Sequence, residues 1–283
     1  MVRYVSVPEV DGMSTYRTFT VVLAALAATA LVLSGCSPSD EQQQGRSFTL
    51  LSTTAVGGGS SVPNTLIAVD SASGAQSRVG DMGATAEERS LTWDASAGIL
   101  YGASAATPRA IVRIDAATGA TTVVTQFAYD PFLVLAASPT GRLYTLRGGF
   151  PEWWLATVDP SSGVFSFIGQ VPIATAGYDF SFFTGMDFQS DGTLYAVLAQ
   201  RQAAHPNFYD QHLLTIDPAT AAVTSSVEIL DRFFIGDIAC APDGFIYATN
   251  NSWILTRIDP RTGRNVFVGE GQLGGLGGLA MKR

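Results

Sequence analysis

The sequence predicts a closed all-β ring: a single five-bladed β-propeller of four-stranded antiparallel blades. Three observations predict it. One short phrase recurs five times, as Val69-Asp70 to Gly74, Ile114-Asp115 to Gly119, Val158-Asp159 to Gly163, Ile216-Asp217 to Ala221 and Ile258-Asp259 to Gly263. Its aspartates lie 45, 44, 58 and 42 residues apart, a self-similar period of the size that marks propellers and solenoids. A second phrase, a tight turn feeding an apolar-aromatic strand, alternates with the first at Gly98 to Tyr101, Gly141 to Tyr144, Gly192 to Tyr195 and Gly244 to Tyr247. Finally, the N-terminal blade lacks a first strand and the C-terminus holds a surplus one, Gly275 to Met281, so the last strand closes the ring and no open edge is left.

The recurring phrase has a physical reading. A β-branched residue ends a half-buried strand, and Asp opens a turn by accepting backbone N–H groups two or three residues on. Pro follows in three copies with φ preset, and Gly closes four of the five, where a left-handed residue starts the returning strand with a bulge. Ala221 stands in the place of that Gly, so the fourth turn is expected to be strained or differently shaped. Turn chemistry accounts for all five aspartates without a repeated metal site. Dividing 48–283 by five leaves about 47 residues per blade, each holding four strands and no helix.

Of the 283 residues, 47% are apolar and only 14% charged, a balance typical of a β-rich extracytoplasmic protein rather than a disordered one. Residues 1–35 read as a leader: Arg17 precedes an apolar run from Phe19 to Leu33, short for a spanning helix. The run ends in Leu33-Ser34-Gly35-Cys36, which resembles the bacterial lipobox; that resemblance implies cleavage and lipidation at Cys36. Glu9 and Asp11 suit a leader badly, and Met13 is an alternative start. Residues 36–47 are polar, with a Gln run and Pro, and read as a lipid-anchored flexible tether ahead of the propeller, 48–283. The second cysteine, Cys240, lies in an apolar strand and reads as a small core residue.

Strand order places both sets of short turns on one face of the ring. The opposite face carries the long, dissimilar connections, where sites on a rigid scaffold usually lie. These connections hold Tyr129, Asp130, Trp153, Trp154, Tyr178, Asp179, His205, Tyr209, Asp210, Asp231, Arg232, Asn250 and Trp253, the candidate ligand-binding set. The 58-residue interval arises from insertions around 170–184 and 199–211, both in the fourth blade and expected to form one lip. Aromatic faces beside carboxylates and Arg suit sugar rings, peptides or another protein. His205 and His212, with Asp210 between them, lack the spacing of a metal motif. Asp187 and Asp237 fall near innermost strands; several carboxylates in a narrow channel favour a hard cation such as calcium. They occupy different offsets from their blade tyrosines, so they form no regular ring.

The leader carries as many acidic as basic residues, so the net charge of −8 survives its removal; with a single lysine, Lys282, this argues against nucleic acid or anionic lipid surfaces as partners. No Gly-rich phosphate loop, Gly-x-Ser-x-Gly elbow or catalytic Cys/His pair occurs.

The Leu-Tyr strands (Leu143-Tyr144, Leu194-Tyr195) and the Ile258-to-Gly263 turn resemble those of bacterial extracytoplasmic propellers with NHL-type and quinoprotein-like repeats. Where quinoprotein blades carry a docking Trp, this chain has Val, Phe or Ile, and no cofactor is expected. The leading expectation is a monomeric, lipid-anchored, non-catalytic module in the cell envelope that binds a protein or glycan through its long-loop face. A second reading, by resemblance to calcium-dependent lactonases and propeller lyases, is an enzyme with a metal in the channel mouth among Asp130, Asp179, Asp187, Asp231, Asp237 and Asn250. A third is a purely structural envelope component.

Overall fold

A computed structural model describes residues 47–54, 64–83, 88–104, 108–127, 134–230, 234–250, 254–271, 273 and 276–283. Residues 1–46, and with them the leader, Cys36 and most of the tether, lie outside that set. The described chain forms five separate four-stranded antiparallel sheets. Blade 1 holds β1 (Thr49–Thr54), β2 (Thr65–Asp70) and β3 (Gln76–Asp81); blade 2 holds β4 (Glu88–Asp94), β5 (Ile99–Ser104), β6 (Arg109–Ile114) and β7 (Thr121–Phe127). Blade 3 comprises β8 (Val134–Ala137), β9 (Leu143–Gly149), β10 (Glu152–Val158) and β11 (Phe165–Val171). Blade 4 comprises β12 (Tyr178–Phe188), β13 (Leu194–Gln202), β14 (His205–Ile216) and β15 (Val223–Glu228). Blade 5 comprises β16 (Ile235–Cys240), β17 (Ile246–Asn250), β18 (Ile254–Ile258) and β19 (Asn265–Glu270). The last strand, β20 (Leu276–Met281), pairs antiparallel with β1, Leu50 opposite Met281, and completes blade 1 as its innermost strand. The five-bladed ring and its closure are as the sequence predicts.

The five aspartate turns share one geometry. In each, the residue four after Asp donates its N–H to the Asp carbonyl at 2.8–2.9 Å, and the Asp carboxylate accepts a backbone N–H two residues on. Side-chain donors to the same carboxylates, Ser47 at Asp70, Ser161 at Asp159 and Thr220 at Asp217, and the Ala117 N–H at Asp115, favour the ionised form and with the backbone bonds hold these carboxyls below their ordinary value. At Asp259 burial opposes the shift, and the Arg261 side chain outweighs it with the backbone bond. Ala221 adopts φ 65°, within a few degrees of Gly74 at 70° and Gly263 at 68°, with the same bonds to Asp217. The fourth turn is therefore strained, by about 1–2 kcal/mol for a left-handed non-Gly residue, but not differently shaped.

Each turn has a second role that its own sequence does not reveal. Every third-to-fourth strand pairing contains one bulge. In four blades the extra residue is Val79, Val124, Ile168 or Val268, turned toward the core. Three of these precede a glycine, and the next blade's turn presses onto the strand at that point. A Cβ on Gly119 would lie 2.7 Å from the Gly80 carbonyl carbon, and one on Gly74 would lie 2.7 Å from the Gly269 Cα. At the fourth turn Ala221 meets a glycine in the same way: a Cβ on Gly169 would lie 3.2 Å from the Ala221 methyl and 2.7 Å from the Thr220 carbonyl oxygen.

The hydrophobic core is divided between the blades. Five buried clusters each join two adjacent blades; Leu51 and Leu66 meet Leu91 and Leu100, for instance, and Trp153 and Leu155 meet Phe183 and Met186. Cys240 lies in the cluster joining blades 4 and 5, fully buried as expected, and burial pushes its thiol well above the usual range.

The inter-blade contact predicts a contrast between two glycines of similar φ. Gly98→Ala, with open space around the new methyl, costs the left-handed penalty of about 1–2 kcal/mol. Gly119→Ala adds a backbone collision and costs at least about twice as much in denaturant unfolding. Equal losses would contradict the turn-to-strand contact.

Candidate functional site

Blade 4 is built differently from the others. Its first three strands run 11, 9 and 12 residues, against four to seven for the strands elsewhere. The extra length lies at the end opposite the Asp191-Gly192 turn, on the face that carries the long connections. There Tyr178 to Phe183 pairs with Leu198 to Gln202, which pairs in turn with His205 to His212. The two insertions do form one lip, but as continuous sheet rather than loops, and the segment holding both histidines is strand β14. Bulges at Tyr178/Phe180 and Arg201/Gln202 twist the sheet.

The two sides of this lip differ. Toward blade 5, Phe182 is the centre of an aromatic shelf: its ring lies 5.5 Å from Phe180, 5.8 Å from Tyr209 and 5.5 Å from Phe234, the residue that leads into β16. Tyr209 meets Phe234 edge-on at 5.9 Å. Beside them the Arg201 guanidinium donates to both carboxylate oxygens of Asp179, at 2.8 and 3.2 Å, and lies 5.4 Å from the Phe180 ring centre. This pairing keeps the Asp179 carboxyl below its ordinary value. Tyr209 is 37% exposed and neighbouring Phe208 66% exposed, with His205 edge-on to Phe208. The Gln211 side-chain carbonyl accepts the Ile235 N–H at 2.7 Å and ties the lip to the start of blade 5.

Toward blade 3 the lip is polar. Asp210 accepts from the Tyr178 hydroxyl at 2.9 Å and from the Gln202 amide at 2.8 and 3.0 Å. Burial, with the bond to Asp210, raises the Tyr178 hydroxyl above its ordinary value. Gln200 donates to the Ala174 carbonyl at 2.6 Å, and His212 sits opposite Glu228.

The channel carboxylates are accounted for by the scaffold. Asp237 is fully buried on β16; its Oδ2 accepts the Leu279 N–H of β20 at 2.8 Å and the Leu91 N–H of β4 at 3.0 Å. Its Oδ1 has no hydrogen-bond partner among the described residues. Asp187 on β12 accepts the Cys240 N–H at 2.8 Å, and the C-terminal Arg283 guanidinium donates to the Phe188 and Cys240 carbonyls below it at 2.6 and 3.2 Å. Burial pushes Asp187 up to about 6 and Asp237 well above its ordinary value. Among the described residues no three carboxylate, histidine or cysteine side chains gather as a metal cluster. Of the calcium candidates, Asp179 is paired with Arg201, while Asp130 and Asp231 lie outside the described residues.

Three residues expected at the site lie elsewhere. Trp153 is only 1% exposed: its ring packs edge-on to Phe183 at 5.2 Å and its indole N–H donates to Ser181 at 3.2 Å, so it belongs to the core between blades 3 and 4. Its neighbour Trp154 points the other way, 38% exposed beside Phe167 at the outer rim and away from the lip. Asn250 is buried at the end of β17, where its side-chain carbonyl accepts the Ile254 N–H at 3.1 Å. Tyr129, Asp130, Asp231, Arg232 and Trp253 lie outside the described residues. The lip thus brings together Tyr178, Asp179, His205, Tyr209 and Asp210 of the candidate set. It adds Phe180, Phe182, Arg201 and Phe234, which the sequence reading passed over as individual residues.

No protein-family model matches the chain, and no curated protein sequence does. Solved structures do match. A nidogen/laminin complex matches with a TM-score of 0.52 at 8% identity, covering 84% of this chain and 99% of that one. TolB from Acinetobacter baumannii also gives 0.52, at 13% identity, covering 83% of this chain and 66% of its own, so the chain spans just under two thirds of TolB's length. At these identities the likeness is one of fold.

The burial of Asp187 sets a pH dependence. A carboxyl whose folded pKa is raised to about 6 adds no penalty below pH 4, where both states are protonated. As pH rises toward 6 the unfolded chain ionises first, and stability falls by roughly 2–3 kcal/mol. Asp187→Asn keeps an acceptor for Cys240 and cannot ionise. The variant is therefore expected to gain on the wild type between about pH 4 and 6 and to hold that gain above it. A stability difference independent of pH would contradict this reading.

Proposed function

We propose that this chain is a lipid-anchored, extracytoplasmic binding module that engages a protein partner in the cell envelope through the lip of blade 4. The observation that carries the reading is the shelf around Phe182. It groups three further aromatic rings and an Arg, the residue types that dominate the energetic centres of protein interfaces. Phe182 stacks on Phe234 while Tyr209 meets both rings edge-on and Phe180 lies tilted, so the rings mostly cover one another and form a stepped surface, which suits a protein side chain better than the open flat face a sugar stacks on. Arg201, held by Asp179, supplies directional polar contact without an unpaired charge. Lipidation at Cys36 rests on the lipobox resemblance.

A photo-crosslinking residue in place of Phe208, in the full-length protein in its native envelope, tests the reading. A discrete protein adduct is expected that is absent when the same residue replaces Ala117 on the turn face. Adding Phe182→Ala should weaken that capture by about 30-fold, the size of an interface hot spot of about 2 kcal/mol. Equal adducts from both faces would overturn the reading. No adduct, with a melting shift on adding envelope sugars, would replace the protein partner with a glycan; a shift with calcium alone would favour the metal-dependent enzyme.

A further inference from the structure

The point at which the chain enters the ring decides which way an anchored ring faces. Phe48 is held on the Asp70 turn of blade 1: its N–H donates to the Ser71 hydroxyl at 3.0 Å and its carbonyl accepts the Ser71 N–H at 3.1 Å. Its ring packs edge-on to Tyr247 at 5.4 Å, and the preceding Ser47 hydroxyl donates to the Asp70 carboxylate. The entry is therefore fixed to the turn face, beside the second strand of blade 1. The lip rises from the opposite face, two blades away around the ring.

We infer that the membrane anchor holds the turn face toward the bilayer and presents the blade 4 lip away from it. This rests on the lipid-anchor reading of Cys36. Cys36 and Ser47 are eleven residues apart, a separation that covalent geometry limits to about 40 Å even for fully extended chain. To bring the lip against the headgroups, that stretch would have to run outward past two strand spacings, along the height of a blade and then along the lip. This path is about 45 Å at strand dimensions, before any distance around the ring from blade 1 to blade 4. The inverted orientation is out of reach. The carboxylates of the turn face repel anionic headgroups only within a Debye length of about 8 Å, which lifts the domain off the surface without turning it over.

The orientation is measured on the full-length lipidated protein in liposomes that carry an acceptor dye on the lipid headgroups. Donor dyes are placed through Ala72→Cys and Ala117→Cys on the turn face and Asn207→Cys on the lip; Cys240 is buried and does not label. Energy transfer from both turn-face positions should exceed that from Asn207→Cys by about twofold or more, since the faces stand some 35–40 Å apart. Equal transfer, or stronger transfer from the lip, on protein that resists a carbonate wash overturns the orientation alone. Protein released by the wash, with partitioning unchanged by Cys36→Ala, overturns the anchor and the orientation with it.

Discussion

Closing a ring of blades leaves one problem that β-pairing does not solve, and a buried carboxylate solves much of it here. The innermost strands of neighbouring blades belong to separate sheets, so each presents backbone N–H groups to a strand that does not pair with it. Left buried without acceptors, each such group costs about 1–3 kcal/mol. Asp237 takes two of them, from β4 and β20, and so joins three blades at one oxygen. Asp187 performs the same task between β12 and β16, and the hydroxyls of Ser90 and Thr92 do so between β4 and β8, accepting the Leu135 and Ala137 N–H groups at 3.1 and 2.7 Å. This belt also binds the C-terminal strand, whose placement closes blade 1.

Around the outside, the contacts between the turns and the fourth strand of the preceding blade, at or beside its bulge in four of the five, do the complementary work. The inner belt satisfies polar groups, and the outer contacts set how closely blades approach. Between them lie the five inter-blade cores, one of which includes Trp153. A scaffold clamped at both radii can support three strands that run on beyond the others, with Gln211 and the Phe182–Phe234 stack joining them to blade 5. Phe180, Phe182 and Tyr209 of the shelf therefore sit on sheet strands, and a partner docking there would meet rings whose positions are already set.

The architecture was readable because propeller turns are local. Asp, Gly and their spacing act within six residues, and their recurrence reported blade number, strand order and the closing role of β20. The inter-blade partners were harder to read, since Asp237 serves residues 42 and 146 positions away in the chain. Val79-Gly80, Ile168-Gly169 and Val268-Gly269 did carry a signal: an apolar residue before Gly at the same place in three fourth strands, where a bulge meets the next blade. The lip read as loop because its segments mix turn formers, Gly177, Asp179, Pro206 and Asn207, with aromatics on both sides of the strand, which erases the polar/apolar alternation of a half-buried strand. Trp153 and Trp154 illustrate the same limit. Adjacent residues on a strand face opposite ways, and counting back from buried Leu155 assigns Trp153 to the core only once β10 is known to be a strand.

The most direct test of the account is the unfolding free energy of the ring with Asp237 replaced in two ways. Asp237→Asn keeps an oxygen able to accept the Leu91 and Leu279 N–H groups and removes a charge that burial disfavours, so it is predicted to be at least as stable as the wild type at pH 7. Asp237→Ala leaves both N–H groups without an acceptor and is predicted to lose about 3 kcal/mol or more. Asn as damaging as Ala would contradict the account, because the ring would then depend on the carboxylate's charge rather than on its acceptor; an Ala variant as stable as the wild type would remove Asp237 from the closure altogether.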